Sequence, residues 1–247
     1  MVRVSVTLSL TCACATAQGG FGFQDQPFLA KPAVVASITP TTIGQLQRWW
    51  NFRDLTVGIT VSNQWSDRVY TEPMWMMNTS LSPTNSTSGV RFNGAQRLTN
   101  NAVPLNGTGA TNTIGLVFTF ENSSQSPTIF HGGSGQGGIL IATSSKLEWD
   151  ANNVDVSSAL PASTLIDVVA VQTNNNAGTI FYTNGLLSLA TANAFHQSPF
   201  NLGWDVTGSS GPLKGYILHV LYWSNLLSAS DVSNFHYWRT NTEGGTP

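Results

Sequence analysis

Short apolar runs separated by turn-forming residues dominate the chain from Ile43 onward. The range Thr113–Phe120 alternates strictly, so its large apolar residues share one face while Gly115, Val117 and Thr119 share the other. A period of two is typical of β-strands, whose successive side chains point to opposite faces. Many runs of this kind, each ended by a turn cluster, predict an all-β, antiparallel two-sheet sandwich.

A three-stranded meander is predicted in the second half of the chain. The ranges Ile166–Gln172 and Thr179–Thr183 flank an Asn-rich loop and read as a hairpin. Asn184-Gly185 follows directly, and this dipeptide is favoured in type I′ turns because both central residues take positive φ. We therefore expect a third strand immediately after it.

The C-terminal region predicts a central strand followed by a short helix. Gly215–Trp223 carries large residues on both faces, which is typical of a strand that is covered on both sides. Ser228 followed by Asp231 resembles a capping box with Asp in place of Glu, and apolar residues follow it. A short C-terminal helix should therefore close the domain.

The composition excludes several classes of function. Charged residues make up only 9% of the 247 residues, against roughly 25% in an average globular protein. Ten basic and twelve acidic residues give a formal net charge of -2, and no basic cluster occurs, so the electrostatic footprint of a nucleic-acid-binding protein is missing. The sequence contains no run of eighteen apolar residues, so it predicts no membrane-spanning helix.

The N-terminal region differs from the rest. Residues 1–42 contain short apolar pieces interrupted by Gly and Pro, and we interpret them as an irregular anchoring arm ahead of one domain at residues 43–247. Met1–Gln18 also admits interpretation as a secretory signal, because Ala15-Thr16-Ala17 resembles a cleavage site. Its apolar stretch is broken by Ser and Thr residues, which favours an uncleaved arm.

Neither a disulfide framework nor a metal site is predicted. The two cysteines, Cys12 and Cys14, are too close in sequence to staple a fold. The four histidines show no spacing typical of metal ligands. We expect no cofactor.

Several motifs, in order, resemble the laminin G-like jelly roll of the concanavalin A-like lectin and glucanase superfamily. They are the strand at Gly89–Leu98, the strand and turn at Thr179–Gly185, Leu202-Gly203-Trp204, and the long strand that ends at Tyr222. Upstream, Trp49–Leu55 and Val61–Val69 are similar to the lead-in found before such domains in bacteriophage virion proteins and bacterial surface proteins. The resemblance implies two stacked antiparallel sheets with a concave face.

Catalysis is not expected. Glucanases of this superfamily carry an E-x-D-x-x-E strand, and Glu148-Trp149-Asp150 resembles its beginning. Alternation places both carboxylates on one face, but Asn153 occupies the position of the second Glu. Because glycoside hydrolysis normally needs a pair of carboxyl groups, a polysaccharide hydrolase using Glu148 and Asp150 is a secondary hypothesis.

Two sets of residues are candidates for carbohydrate binding, which requires aromatic faces and short amides or carboxylates. One set is Trp149, Asp150 and Asn152, and the other is Trp204 and Asp205. By contrast, Trp65 and Asp67 are interpreted as framework, with Asp67 holding a turn.

The leading functional hypothesis is a non-catalytic virion structural protein, either a capsid decoration or a tail or spike appendage. Its partners would be other virion proteins, held through the arm, and a host-surface polysaccharide. By analogy with other appendages it would form a homo-oligomer, with a trimer favoured. The alternative is a secreted or cell-surface carbohydrate-binding module. The first hypothesis implies a location on the virion surface, and the second an extracellular one.

Overall fold

The computed structural model describes residues 37–61, 65–71, 82–100, 111–123, 126–132, 138–141, 144–149, 154–174, 178–191, 200–204 and 211–243. Contacts divide the chain into two compact units, Met1–Ala36 and Ser37–Pro247. The predicted arm at residues 1–42 therefore lies mostly outside the described residues. No helix in the described ranges is long and apolar enough to cross a membrane.

The larger of two antiparallel sheets contains eight of the described strands. They are β1 (Leu46–Asn51), β2 (Thr84–Ser86), β3 (Gly89–Asn93), β5 (Asn112–Phe120), β10 (Ile166–Asn174), β11 (Gly178–Thr183), β12 (Leu186–Thr191) and β14 (Lys214–Trp223). Their order is β12-β11-β10-β5-β14-β3-β2, and β1 also pairs with β14. Strand β12 thus forms one edge of this sheet.

The smaller sheet contains six described strands. They are β4 (Leu98–Asn100), β6 (Thr128–His131), β7 (Gly138–Ile141), β8 (Lys146–Trp149), β9 (Val154–Ala159) and β13 (Phe200–Leu202). Their order is β4-β13-β6-β7-β8-β9, which makes β9 an edge strand. The predicted two-sheet antiparallel sandwich of the jelly-roll kind is confirmed.

Aromatic side chains fill the space between the two sheets. Trp50 of β1 meets Phe200 of β13 edge to face, with ring centroids 5.8 Å apart, and Phe200 stacks on Phe130 of β6 at 5.3 Å. Farther along, Trp149 of β8 packs on Phe181 of β11 at 5.4 Å. Contacts of this kind add to the burial of apolar surface that holds the two sheets together.

The outer face of the larger sheet is covered as well. Helix α1 (Ala229–Thr242) lies on it, with Phe235 against Trp223 of β14 and Trp238 against Trp49 of β1. Every residue of β5 is consequently buried. The face of β5 that carries Gly115, Val117 and Thr119 is therefore packed as well, which the alternation of the sequence alone does not reveal.

The local predictions for the second half are confirmed. Strands β10, β11 and β12 form the expected meander, and the turn residues Asn184 and Gly185 have φ values of 50° and 74°. Helix α1 begins after a capping box in which the Ser228 hydroxyl accepts from the amide of Asp231. With fourteen residues the helix is longer than expected, because its apolar side packs onto the sheet.

Candidate functional site

The structure places Trp149 in the core. Its indole has no exposed surface and contacts Phe181 of the opposite sheet. A sugar approaching from solvent cannot stack on this ring in the folded protein. The prediction of Trp149 as a carbohydrate-binding residue is therefore corrected: on an alternating strand, the sequence does not say which face is inside.

The second predicted tryptophan, Trp204, follows β13 and is half-buried. Strands β13 and β8 lie three positions apart in the smaller sheet, a separation of about 14 Å. Trp149 and Trp204 thus lie in separate parts of the smaller sheet. Asp150, Asn152 and Asp205 lie outside the described residues, and their assignment stays a prediction.

Glu148 lies on the outer face of the smaller sheet, opposite in direction to its buried neighbour Trp149. Across the β8–β9 pair it is in register with Asp155. Asp155 in turn accepts a hydrogen bond from Lys146 Nζ at 2.7 Å. Asn153 and Asp150, the other positions of the glucanase-like pattern, lie outside the described residues.

A groove at the open edge of the sandwich is the candidate site. It lies between the edge strands β9 and β12 and has a volume of about 450 Å³, within the range of about 300–1,000 Å³ typical of small-molecule sites. We call it the edge groove. Its lining residues are Asp155, Val156, Ser157, Ser158, Leu160, Thr183, Asn184, Leu186, Leu187, Ser188 and Leu189.

The edge groove combines exposed aliphatic walls with neutral hydrogen-bonding groups. Leu186 and Leu187 are 73% and 67% exposed, the largest values among the large apolar side chains of the described residues. Serine and threonine hydroxyls and one amide supply most of the polar lining. Asp155 is the single charged lining residue and is paired with Lys146, so the groove is close to neutral.

The turn between β11 and β12 forms one end of the edge groove and is held firmly. The Asn184 side-chain oxygen accepts hydrogen bonds from the amide of Asp167 at 3.1 Å and from Arg239 Nη2 at 3.2 Å. Gly185 lies so close to His236 that an added Cβ would stand 2.8 Å from its ring. Only glycine is accommodated here without strain.

A buried ion cluster supports this turn from beneath. The Asp167 carboxylate, with almost no exposed surface, accepts from Arg239 Nε at 2.6 Å and from His236 Nδ1 at 2.7 Å. Because a carboxylate only accepts, Nδ1 of His236 must carry the proton. The cluster thereby joins β10, the turn and α1 into one unit that positions the groove wall.

A second polar cluster ties the end of α1 to the sheet. Glu243 accepts from Arg53 through both carboxylate oxygens, the shortest contact being 2.7 Å, and lies 3.3 Å from His219 Nε2. Burial alone would raise the pKa of Glu243, but contacts with His219 and Arg53 outweigh it and lower the pKa to about 2. This carboxylate is ionised in the folded protein at neutral pH.

His219 is neutral in this cluster. Burial lowers its pKa below the usual 6.5, against the opposing influence of Glu243. Trp49 Nε1 donates to His219 Nδ1 at 3.3 Å, which requires an unprotonated Nδ1 and places the ring proton on Nε2. The Nε2 proton faces Glu243 without forming a well-aligned hydrogen bond. This cluster is structural and lies away from the edge groove residues.

The framework interpretation of Trp65 and Asp67 agrees with the structure. Trp65 is fully buried, and Asp67 Oδ1 accepts from the amides of Val69 and Tyr70 at 2.7 and 3.1 Å. Asp67 therefore holds the turn, as predicted. Within the described ranges, no group of three or more His, Cys, Asp or Glu side chains is arranged to hold a metal ion.

Sequence reasoning found the turn of the edge groove but not the groove. Asn184-Gly185 is visible as a turn, and Leu186-Leu187 directly after it is visible as an apolar pair. The opposite wall comes from β9, which belongs to the other sheet. An apolar pair directly after the predicted turn was the one signal that the sequence offered.

Comparison with known proteins identifies a fold and no family. No protein-family model and no curated protein matches the chain. Among solved structures, domain 4 of AbnA, a GH43 extracellular arabinanase from Geobacillus stearothermophilus, was determined in complex with arabinotriose. It matches with a TM-score of 0.57 at 16% identity, over 78% of this chain and 99% of that domain.

Larger proteins match through one of their parts. Trypanosoma rangeli sialidase matches with a TM-score of 0.60 and 14% identity, over 86% of this chain but only 37% of the enzyme. The botulinum neurotoxin serotype D binding domain matches at 0.52 and 12% identity, over 79% of this chain and 52% of that domain. At these identities the likeness shows the fold, a lectin-like β-sandwich.

Proposed function

We propose that this chain is a non-catalytic carbohydrate-binding domain and that the edge groove is its binding site. The observation that carries the proposal is the groove's lining, in which neutral hydroxyl and amide groups alternate with aliphatic side chains. Sugar hydroxyls both donate and accept hydrogen bonds, and Ser, Thr and Asn side chains match them without the cost of burying a charge.

The solved structures support a role in glycan recognition. The arabinanase domain, which this chain spans almost completely, was solved with arabinotriose, and a sialidase contains a part with the same fold. Because one fold hosts many functions, the proposal rests on the lining of the edge groove. The similarity of fold to these structures supports it.

The absence of catalysis is part of the proposal. Glycoside hydrolysis normally uses two carboxyl groups on either side of the scissile bond. Among its lining residues the edge groove has one, Asp155, and Lys146 is its partner. Bound sugar should therefore be released unchanged.

The experiment is a glycan array and a polysaccharide pull-down with purified protein, followed by an assay for released reducing sugar. Leu186→Arg should abolish binding, since Leu186 pairs with the groove-lining Thr183 and the substitution puts a long charged side chain into the groove. Val57→Arg is the matched control, because Val57 is 56% exposed and does not line the groove. Trp204→Ala tests the alternative site predicted from the sequence.

Each outcome is decisive. Binding that is lost in Leu186→Arg and kept in both other variants supports the edge groove. Loss in Trp204→Ala alone would move the site to the end of β13. No binding to any glycan would refute the proposal, and released sugar would favour the hydrolase.

A finer proposal concerns the biological setting. The sequence resemblance of the lead-in at Trp49–Leu55 and Val61–Val69 motivates a virion structural role, with the arm holding other virion proteins and the domain facing a host-surface polysaccharide. Copurification with particles and an intact Met1 would support it, and sedimentation as a trimer would support an appendage. A mature N-terminus near Gln18 would favour a secreted or cell-surface module.

A further inference from the structure

We infer that Asn93 is a site of spontaneous covalent modification, deamidation to aspartate and isoaspartate, and that the fold protects Asn184 from the same reaction. Both residues are followed by glycine, the neighbour that least obstructs this chemistry. A third such pair, Asn106-Gly107, lies outside the described residues. Asn93 does not line the edge groove, so the reaction there is independent of the proposed function.

The reaction needs only the chain itself and water. The amide nitrogen of Gly94 attacks the side-chain carbonyl carbon of Asn93 and forms a carbon–nitrogen bond. The side-chain nitrogen leaves as ammonia and takes the proton that the Gly94 amide gives up, which closes a five-membered succinimide. Water then adds to one of the two ring carbonyls and opens the ring. The product is either aspartate or isoaspartate, in which the backbone continues through the side-chain carbon.

Asn93 is well placed for this reaction. It is the last residue of β3 and is exposed. Its backbone amide donates to Gln96 Oε1, but within the described part of the chain its side chain has no hydrogen-bonding partner. Gly94 begins a bend beyond the strand and has a φ of 93°. The Asn93 side chain can therefore turn toward the Gly94 amide without breaking a hydrogen bond of its own.

Asn184 has the opposite surroundings. Its Oδ1 accepts from the Asp167 amide at 3.1 Å and from Arg239 Nη2 at 3.2 Å. These two bonds hold the side chain toward β10 and α1, so they must break before its carbonyl carbon can turn toward Gly185. Because a net hydrogen-bond energy adds to the barrier, the two bonds together should slow the reaction by about tenfold or more.

The two positions also differ in what a new carboxylate would meet. Asn184 lines the edge groove, where an added charge or an extra backbone carbon would alter the wall. Asn93 is in register with Lys214 of β14, and the Lys214 side chain lies over Gly94, with its Cε 2.7 Å from where a Cβ would stand. A carboxylate at position 93 thus forms beside an ammonium group, and opposite charges are favourable in a cross-strand pair.

The test is peptide mapping by mass spectrometry after incubation of the purified protein at pH 8. The converted fraction is followed over days at each asparagine. In the folded protein, Asn93 should convert about tenfold or more faster than Asn184. In guanidinium chloride the hydrogen bonds of the fold are absent, and the two rates should become similar because each asparagine is then followed by glycine in an unfolded chain.

The variant Arg239→Gln removes one of the two bonds to Asn184 Oδ1. It should speed conversion at Asn184 by about threefold or more and leave the rate at Asn93 unchanged. Lys146→Gln is the control, because Lys146 contacts neither asparagine, and it should change neither rate. Thermal unfolding checks that both variants fold. If Arg239→Gln does not fold, the comparison of native and denatured wild type still decides the question.

Equal rates at Asn93 and Asn184 in the folded protein would overturn the inference. Faster conversion at Asn184 would overturn it too, since Arg239 would then activate the carbonyl that it contacts. A ratio that persists in guanidinium chloride would have the same effect, because the difference would come from neighbouring residues in the sequence and not from the fold. Glycan binding is measured separately, so none of these outcomes decides the proposed function.

Discussion

Asp167 is a fully buried acid whose carboxylate is shared by Arg239 and His236. Its removal affects more than one interaction, because Arg239 also binds Asn184 at the turn. Leaving a buried guanidinium without its partner costs far more free energy than the intact ion pair contributes to stability. The residue therefore controls both the attachment of α1 and the position of the groove wall.

We expect Asp167→Asn to lower the free energy of unfolding by roughly 3 kcal/mol, the lower end of the range for a broken buried ion pair. Urea denaturation followed by tryptophan fluorescence measures the change. Lys146→Gln is the control, because the Lys146–Asp155 pair is exposed and should contribute less than about 1 kcal/mol. Equal effects of the two substitutions would contradict the prediction.

The cluster of His219 and Glu243 predicts how stability depends on pH. Both pKa values are lower in the folded protein than the usual 6.5 and 4.5, so the unfolded chain takes up these protons first. Stability from the cluster is therefore complete above about pH 6.5 and decreases below it. A second decrease occurs between pH 4.5 and the folded-state pKa of Glu243, about 2.

The measurement is the unfolding free energy of wild type and of Glu243→Gln from pH 7 to pH 2. The variant should be less stable at pH 7, and the difference should become small near pH 2, where the native carboxylate is also protonated. A constant difference over this range would show that Glu243 does not titrate as the structure implies.

Among single residues, the sequence predicted the turn roles and missed the face assignments. Asn184, Gly185 and Asp67 have local signatures, because a turn is decided by a few neighbouring residues. The alternation Glu148-Trp149 shows that the two side chains point apart, but only the position of the other sheet decides that Trp149 is inside.

At the scale of elements, the packing of α1 on the larger sheet depends on a glycine. An added Cβ on Gly115 would stand 2.8 Å from the ring of Trp223, which is fully buried and donates to the carbonyl of Ile43 at 2.7 Å. The small residue in β5 thus provides the space in which Trp223 contacts Phe235 of the helix.

Gly115→Ala should lower the free energy of unfolding by about 1–3 kcal/mol, the usual cost of overpacking a core. The double variant Gly115→Ala/Trp223→Phe should show a favourable coupling energy in a double-mutant cycle, because the smaller ring relieves the contact. Additive effects would mean that the clash is absorbed elsewhere.

Elements were predicted well where the pattern was local. The meander, the long strand β14 and the capped helix all have periodic or capping signals in the sequence. The covering of β5 on both faces was not predicted, because Gly115, Val117 and Thr119 read as a weak face until the helix is placed over it. The edge groove was missed for a similar reason, since β9 and β12 meet only when the sheets stack.

For the molecule as a whole, the low number of charges affects solubility more than fold. With 9% charged residues and a sequence pI near 6.0, few charges keep copies of the protein apart near that pH. We expect light scattering at constant protein concentration to be greatest near pH 6 and to decrease toward pH 8. A scattering profile that is flat over this range would contradict the prediction.

The shared anchorage of the turn has a mechanical consequence. Asn184 is bonded to the backbone of β10 and to Arg239 of α1, so tension applied to the turn between β11 and β12 would be distributed over a central strand and a helix. A lone hairpin at the edge of a sheet would be peeled away one hydrogen bond at a time. Here several bonds must break together before the hairpin can leave the sheet.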